Sequence, residues 1–449
     1  MNPLEFNAKI AEITEFPRPS HFIYDVEFYI GNDLKFKPYS TVNCDFSENY
    51  RDEVGATVIL TVAMSRGDYM RHVYPNRDKQ ISIKLRKKFT NNNSNVLLDE
   101  LKGLETTYRA FCHDLKDQDL QASPNIDNDQ TVANFKFELI ETNIYDFRTR
   151  KCGGVFPHVD KIDLIKFLYH KAAMDIPENL RSKGVTADKA NVGEKRKQLV
   201  IPNGTPLIDL PKYIQDNEGG IYNHDIANFF STYQKRWFIF PTFNTVRHEE
   251  SLHAMEIYLT PPNLTSVLDR TWMYDEQAKR KLSIVSTGNF QAEDNQVFTF
   301  LNQGNGVQFL KADELLNSFS TVDANKITVG TKHRAGFLLK ERDDSNQIVN
   351  YMPNKVTNNV AKAMSGLSRR GGMYVSVVWA NSRPDLIVPG MPVTIFYNTE
   401  SEVLTKVGLV HEAINTETRV QANMINETMF STTVLVIWVD DPDTEIKSL

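Results

Sequence analysis

The chain has 449 residues, 41% of them apolar, with a formal charge of -6 at pH 7 and three cysteines. That length exceeds the roughly 250–300 residues at which a single hydrophobic core stops growing, so two or more domains are expected. The acidic balance argues against nucleic-acid binding by charge and against electrostatic attachment to a membrane. Cys44, Cys112 and Cys152 are an odd number at wide spacing, which suits neither a disulfide framework nor a four-ligand zinc site.

The stretch Met1 to Phe16 has no basic region followed by an apolar core, and nowhere is there a run of about eighteen apolar residues. The expectation is a protein that is neither exported by a standard signal nor membrane-spanning, with its cysteines reduced in a cytoplasm. From Lys9 to Lys88 apolar residues recur with period two: Val26, Phe28 and Ile30; Val58, Leu60, Val62 and Met64; Ile81, Ile83 and Leu85. Antiparallel strands with one buried face produce this pattern, and turn signals at Gly31-Asn32-Asp33, Gly67-Asp68 and Pro75-Asn76 separate them. Asn91 to Asn95 reads as a loop, Val96 to Leu115 fits helix or strand, and Lys116 to Gln130 has the polar composition of a mobile surface loop. Phe135, Phe137 and Leu139 restore the strand period.

After Gly153-Gly154, residues Ile162, Ile165, Leu168 and Ala172 share one helical face behind Asp160, a candidate N-cap. Arg181 to Gln198 is charged and poor in large apolar residues, the composition of an exposed connection. Pro206 then suits a first helical turn, and Leu207, Leu210, Tyr213 and Ile214 recur at helical spacing up to a stop at Gly219-Gly220. Asn223 is placed to cap a second helix carrying Ile226, Phe229 and Phe230, and Trp237-Phe238-Ile239-Phe240 reads as a fully buried strand stopped by Pro241. Strands dominate from His253 onward: Met255, Ile257 and Leu259 alternate, and Tyr374 to Trp379, Met391 to Tyr397 and Thr432 to Val439 are near-continuously apolar.

Candidate chemistry is sparse. His248 and His253 flank Glu249-Glu250 at a spacing of i and i+5, about 100° out of register for two imidazoles sharing one helical face, so a surface loop entering a strand is the better reading. Gly304-Asn305-Gly306 lacks the Lys and Ser or Thr of a phosphate loop and reads as a hairpin. Adjacent carboxylates at Asp99-Glu100 and Glu249-Glu250 are expected by chance among 57 acidic residues, and glycosidase chemistry needs carboxylates facing each other across a cleft. The basic runs Lys84 to Lys88, Lys195 to Lys197 and Lys279 to Lys281 are candidates for acidic partners, though solvated strand ends are the commoner explanation. Arg369-Arg370-Gly371-Gly372 is internal and cannot act as a twin-arginine signal. No catalytic, cofactor-binding or metal-ligating residue is assigned, and no cofactor is expected.

Two segments carry a family resemblance. Gly220-Ile221-Tyr222 and Pro241-Thr242-Phe243-Asn244 resemble the G-I/L-Y turn and the P-x-x-N strand end of hub proteins of contractile-tail phage baseplates and of the hub part of VgrG spike proteins. Leu386 to Val393, with Pro389-Gly390-Met391 at its centre, and Gly408-Leu409-Val410 look like that family's second-barrel turn and its partner strand. The resemblance implies a β-rich α+β fold of two tail-tube-like antiparallel β-barrel domains with a small helical middle section. The divisions would be a first barrel at 1–158, a helical or α+β middle at 159–245 and a second barrel at 246–449, with strands free to cross between barrels.

By the same resemblance the chain is a non-enzymatic virion structural protein of the tail baseplate, assembled in the host cytoplasm. It would form a homotrimer that joins the six-fold tail tube to the three-fold central spike and lines a channel for genome passage. Its partners would be the central spike, a tail-tube or tube-initiator protein and other baseplate proteins, with DNA only in transit and no membrane insertion. Gly220, Tyr222, Trp237, Pro241, Asn244, Pro389 and Gly390 are the residues expected to shape the fold. The alternative is a tail-associated cell-wall-degrading or glycan-binding component, which calls for an appended domain with a separated acid pair. A non-viral β-rich adaptor is a third reading.

Overall fold

The computed structural model describes residues 1–15, 21–77, 79–90, 104–112, 132–190, 197–222, 225–243, 247, 251–260, 271–276, 280–286, 291–293, 307–311, 348–352, 373–398, 402–420 and 428–439. Asn91 to Asn95, Lys116 to Gln130, Asn223, Gly304 to Gly306 and Arg369 to Gly372 lie outside these, as do His248, Asp99-Glu100 and Glu249-Glu250. The described chain is β-rich, with five α-helices among the described residues. None of these is long and apolar enough to cross a membrane.

The chain opens with a helix, Pro3–Glu15, where a strand pattern was expected from Lys9 onward. Its signal is a reciprocal cap: the Glu5 backbone N donates to Asn2 Oδ1 at 2.8 Å, and the Asn2 N donates to Glu5 Oε2 at 3.0 Å. Phe6 and Ile13 bury one face of it, Phe6 meeting Tyr258 at 5.7 Å between ring centroids.

A 15-stranded sheet dominates the molecule. Within it eight strands form a ring. Six come from the N-terminal part, in the order Ser40–Asn49, Thr57–Ser65, Val132–Glu141, Leu104–Cys112, Ile81–Phe89 and Phe22–Ile30. The other two come from the far end of the sequence: Val403–Arg419 pairs with Ser40–Asn49, Met429–Val439 meets Phe22–Ile30 at Phe22, and these two pair with each other. Val58, Leu60, Val62 and Met64 are all buried, as are Phe135, Phe137 and Leu139 on the neighbouring strand, so the period-two reading gave the inward faces correctly. The ambiguous stretch before residue 115 resolves as strand Leu104–Cys112. Gly67-Asp68 and Pro75-Asn76 fall in a run of short helical turns from Arg66 to Asn76.

Among the remaining strands of the sheet, one departs from the all-antiparallel expectation. Ala254–Leu259 runs parallel to both its neighbours, Lys281–Ser286 and Pro392–Asn398. Met255, Ile257, Tyr258 and Leu259 are all buried, the two-faced burial typical of a parallel strand in the interior of a sheet. Within the sheet, the strand Trp272–Asp275 has one neighbour, Lys281–Ser286, among the described residues, and Gln291–Glu293 has one, Met373–Ala380.

The middle of the chain is helical as expected at Lys161–Ala173, with Asp160 accepting from the backbone N of Ile162 and Asp163, and at Leu210–Asn217 after a single tight turn at Leu207–Asp209. A second helix over Ile226 to Phe230 is not what forms. Ile226–Ser231 is a strand paired antiparallel with Arg236–Pro241. Its apolar residues serve two cores at once: Ile226 and Phe230 pack with the middle section, Ala227 and Phe229 with the C-terminal strands. Nor is Arg181 to Gln198 simply an exposed connection. Val185–Ala187 pairs parallel with Arg236–Pro241, and the Arg181 guanidinium donates to the carbonyls of Ala173, Met174 and Ile176 at the end of the preceding helix.

Candidate functional site

The strand Val403–Arg419 is where the two halves of the sheet become one. Its first part pairs with Pro392–Asn398, its last part with Ser40–Asn49, and Met429–Val439 follows it on both sides of a bulge between Val410 and Glu412. The extra residue in that bulge is His411, which is 2% exposed. Its Nε2 lies 2.7 Å from the Thr242 carbonyl, which can only accept, so Nε2 carries a proton. Nδ1 faces the Tyr374 hydroxyl at 3.4 Å, and Arg51 donates to that hydroxyl at 2.8 Å. The His411 carbonyl accepts from Tyr50 N at 2.8 Å. The bulge re-aims the strand, and the Nε2 and carbonyl of the His411 it displaces each have a hydrogen-bond partner.

Ring closure rests on a buried charge pair. Phe22–Ile30 touches Met429–Val439 at the single pair Phe22 and Met429, which pack with Phe89. Over Phe22 sits the Lys87 ammonium, 3.7 Å from the ring centroid and 2.7 Å from Glu417 Oε1. Asn415 Nδ2 and Ser431 Oγ also donate to Oε1, each at 3.0 Å, and the Tyr24 hydroxyl donates to the other carboxylate oxygen. The side chains of Lys87 and Glu417 are 4% and 0% exposed. Burial, and after it the Glu417 charge, push the Tyr24 phenol well above its usual range, so it remains a donor.

The rest of the Lys84 to Lys88 run explains itself by alternation. Lys84 pairs with Glu105, Arg86 with Glu105 and Asp25, and Lys88 with Asp25, at distances from 2.7 to 3.2 Å, while Ile83, Leu85 and Lys87 turn inward. This run is a neutralised strand face. His253 is half-buried at the entry to its strand, and burial followed by the Arg280 charge holds it below the usual histidine range. Among the described residues no group of three or more His, Cys, Asp or Glu is arranged to hold a metal ion. Cys44, Cys112 and Cys152 are free thiols.

A second buried carboxylate lies beside the crossover. Glu48, 5% exposed, accepts from Tyr50 OH at 2.6 Å, and burial pushes its pKa up to about 7. Glu141, which caps helix Thr142–Thr149 through the backbone N of Asn143 and Ile144, is likewise pushed up to about 7 by burial. The unfolded chain loses these protons near pH 4.5 and the folded chain holds them to about pH 7. Between those values the folded state binds more protons, so stability falls as pH rises through the window and the loss is complete above it. Glu48→Gln is expected to remove about half of this limb, leaving the Glu141 part, and to raise stability at pH 8 by on the order of 2 kcal/mol, checked by urea denaturation from pH 4.5 to 8.

The residues singled out for shaping the fold come together in two places. Gly219 and Gly220 have φ of 81° and 76°, and the turn they make is clamped by Gln215, whose Oε1 accepts from Ile221 N at 2.7 Å and Tyr222 N at 3.0 Å. Tyr222 is fully buried and donates to the Asp188 carbonyl at 2.8 Å, and Lys161 Nζ donates to Gly220 O at 2.6 Å. Gln215 and Lys161 carry no sequence signal of this role, because each acts by meeting a carbonyl or amide at the turn. Pro241 closes its strand opposite Ile226; Asn244 lies outside the described residues.

Gly390, next to Pro389, has φ of 64°, and its carbonyl accepts from Arg247 Nη1 at 2.6 Å. A Cβ there would lie 2.1 Å from Arg247 Nη1 and 2.3 Å from the Phe240 ring. Gly390→Ala is therefore expected to cost about 2–3 kcal/mol in a urea titration, combining a left-handed backbone with overpacking. Gly408, in the partner strand, is as tightly enclosed: a Cβ would stand 2.2 Å from the Trp438 carbonyl oxygen.

No family model and no curated protein matches the chain. Solved structures do. The 43 kDa tail protein of prophage MuSo2 from Shewanella oneidensis aligns over 92% of this chain and 96% of its own, with a TM-score of 0.47 and 8% identity. A tail protein from Neisseria meningitidis MC58 aligns over 93% and 96%, with a TM-score of 0.44 and 9% identity. In the half-lidded Francisella PdpA-VgrG complex the match covers 93% of this chain but 57% of the other, with a TM-score of 0.44 and 10% identity. The structures to which this chain is similar are two tail proteins, one of them from a prophage, and a VgrG complex.

Proposed function

We propose that the chain is a structural subunit at the hub of a phage tail baseplate or a related contractile injection apparatus, acting as a scaffold and not as a catalyst. The observation that carries the reading is the strand Val403–Arg419, which hydrogen-bonds to both parts of the sheet and so fixes their relative position through backbone alone. A hub built from two tube-like repeats per subunit needs that fixed relation, because a ring closes only when each interface repeats by the same rotation. Three copies with two such halves present six units to a six-fold tail tube while keeping three-fold symmetry for a central spike. In this reading the two halves are barrel domains, the first drawn from 1–158 and completed by the last two strands, the second from 246–449, with 159–245 between them.

Strand edges support the same reading. Trp272–Asp275 and Gln291–Glu293 each have one neighbour within the sheet among the described residues, and pairing across subunits would remove an aggregation liability. The net charge of -6 suits a channel wall that does not hold DNA in transit. Light scattering of the purified protein, with negative-stain images of the same fraction, tests the proposal. A three-subunit ring with a central hole is the expected result. A monomer that stays monomeric when mixed with the candidate spike overturns it.

A further inference from the structure

The three-stranded sheet of the middle section ends on Val185–Ala187, whose only strand partner among the described residues is Arg236–Pro241. The Trp237 N donates to the Gly184 carbonyl at 3.0 Å, and the Asp188 N donates to the Ile239 carbonyl at 2.9 Å. Residues 184, 186 and 188 therefore spend their backbone groups on that partner, and the alternation of a parallel ladder turns those of Val185 and Ala187 the other way.

Beside this edge opens a cleft of about 540 Å³. Lys183 and Lys189 line it from the two ends of the edge segment, and Arg236, Arg247 and Arg280 line it from the other walls. One carboxylate, Asp188, stands among these five cations, and Arg247 Nε already engages it at 2.8 Å. In a chain of net charge -6 this is a local reversal of sign. Leu252, 73% exposed, adds an apolar side chain to the lining. Phe238 is the one Phe, Tyr or Trp among the lining residues and is 8% exposed, so the cleft presents no open Phe, Tyr or Trp ring on which nucleic-acid bases would stack.

We propose that this cleft binds an acidic, extended segment of a partner protein, which adds as a strand to the Val185–Ala187 edge while its carboxylates meet Lys183, Lys189 and Arg280. Strand addition supplies backbone hydrogen bonds, and the cations select the partner by charge. The site is separate from the strand crossover and does not rest on the hub reading: its failure would leave the subunit mass unchanged.

Fluorescence anisotropy with the full chain and a labelled peptide of alternating glutamate and valine, about ten residues long, tests it. Saturable binding that weakens with salt is expected, with none to a lysine and valine peptide. Lys183→Glu combined with Lys189→Glu is expected to weaken binding at least about tenfold. Ala187→Pro, which removes an N–H that faces away from Arg236–Pro241, is expected to do the same. A peptide N-methylated at alternate residues should also lose binding to the unaltered protein, which guards against a proline variant that does not fold. Unchanged affinity for the N-methylated peptide, no saturable binding, or tighter binding of a labelled single-stranded DNA would each overturn the proposal.

Discussion

Lys87→Met is expected to lower the unfolding free energy by about 3–5 kcal/mol, because it strands the Glu417 carboxylate in an interior where water cannot reach it. Glu417 is 0% exposed, and among the described residues Lys87 is the one cation hydrogen-bonded to it; Tyr24, Asn415 and Ser431 supply neutral donors that stabilise the charge without cancelling it. The pairing also holds the weakest seam of the ring, where Phe22–Ile30 and Met429–Val439 share a single residue pair. Methionine keeps most of the aliphatic stem against Phe22 and Phe89, so the measured loss reports the charge and not a cavity. The Lys87→Met, Glu417→Gln double variant should recover roughly half of the loss, since a neutral amide can still accept from Tyr24 and Ser431. Urea denaturation of the two single variants and the double gives the coupling directly. A single-variant cost below about 1 kcal/mol would mean that the pair is solvated and contributes no more than a surface ion pair.

That seam could not be read from the sequence, and the reason is physical. Lys87 and Glu417 are separated by 330 residues, and nothing local to either one names its partner. Local periodicity, by contrast, was informative wherever the large apolar residues of a strand share one face: Val58, Leu60, Val62 and Met64, Ile81, Ile83 and Leu85, and Phe135, Phe137 and Leu139 are all buried, as their spacing demands. Caps and stops were legible too. Asp160 holds the start of its helix, Gly219 and Gly220 end the next, and Gly390 makes the turn that its Pro-Gly pair requires.

The failures share a cause. Ile226, Phe229 and Phe230 have helical spacing, yet they belong to a strand buried on both faces, where alternation vanishes and length is the better guide. Parallel pairing of Ala254–Leu259 is a choice between partners and leaves no mark on the strand itself. The opening helix was different: Asn2 and Glu5 spell a capping box, and Phe6, Ile10 and Ile13 fall on one face, so the signal was present and was masked by the strand pattern that follows. Of the candidate site, the glycine and proline positions were legible because they need special backbone angles. His411, Gln215 and Lys161 were not, because their roles exist only once distant carbonyls and amides have been brought beside them.

Trp237→Ala is expected to cost about 3–5 kcal/mol, the range for deleting a large aromatic from a closed core. Trp237 is 0% exposed, stacks on Phe147 at 4.9 Å between centroids, and meets Tyr169 at 5.0 Å and Phe230 at 5.1 Å. These three rings come from two helices and the paired strand, so the indole is the point at which the middle section is held together. Trp237→Phe should cost less, about 1–2 kcal/mol: it keeps an aromatic ring in the stack and removes an indole N–H that has no hydrogen-bond partner among the described residues. Strand Arg236–Pro241 also faces two ways, with Trp237 and Ile239 in the middle core and Phe238 and Phe240 in the core of the C-terminal strands. If the two cores unfold as one unit, Trp237→Ala will shift a single urea transition, and amide exchange will quicken in Pro392–Asn398 as well as in Lys161–Ala173. Faster exchange confined to the middle section would show instead that the strand passes no strain across its two faces.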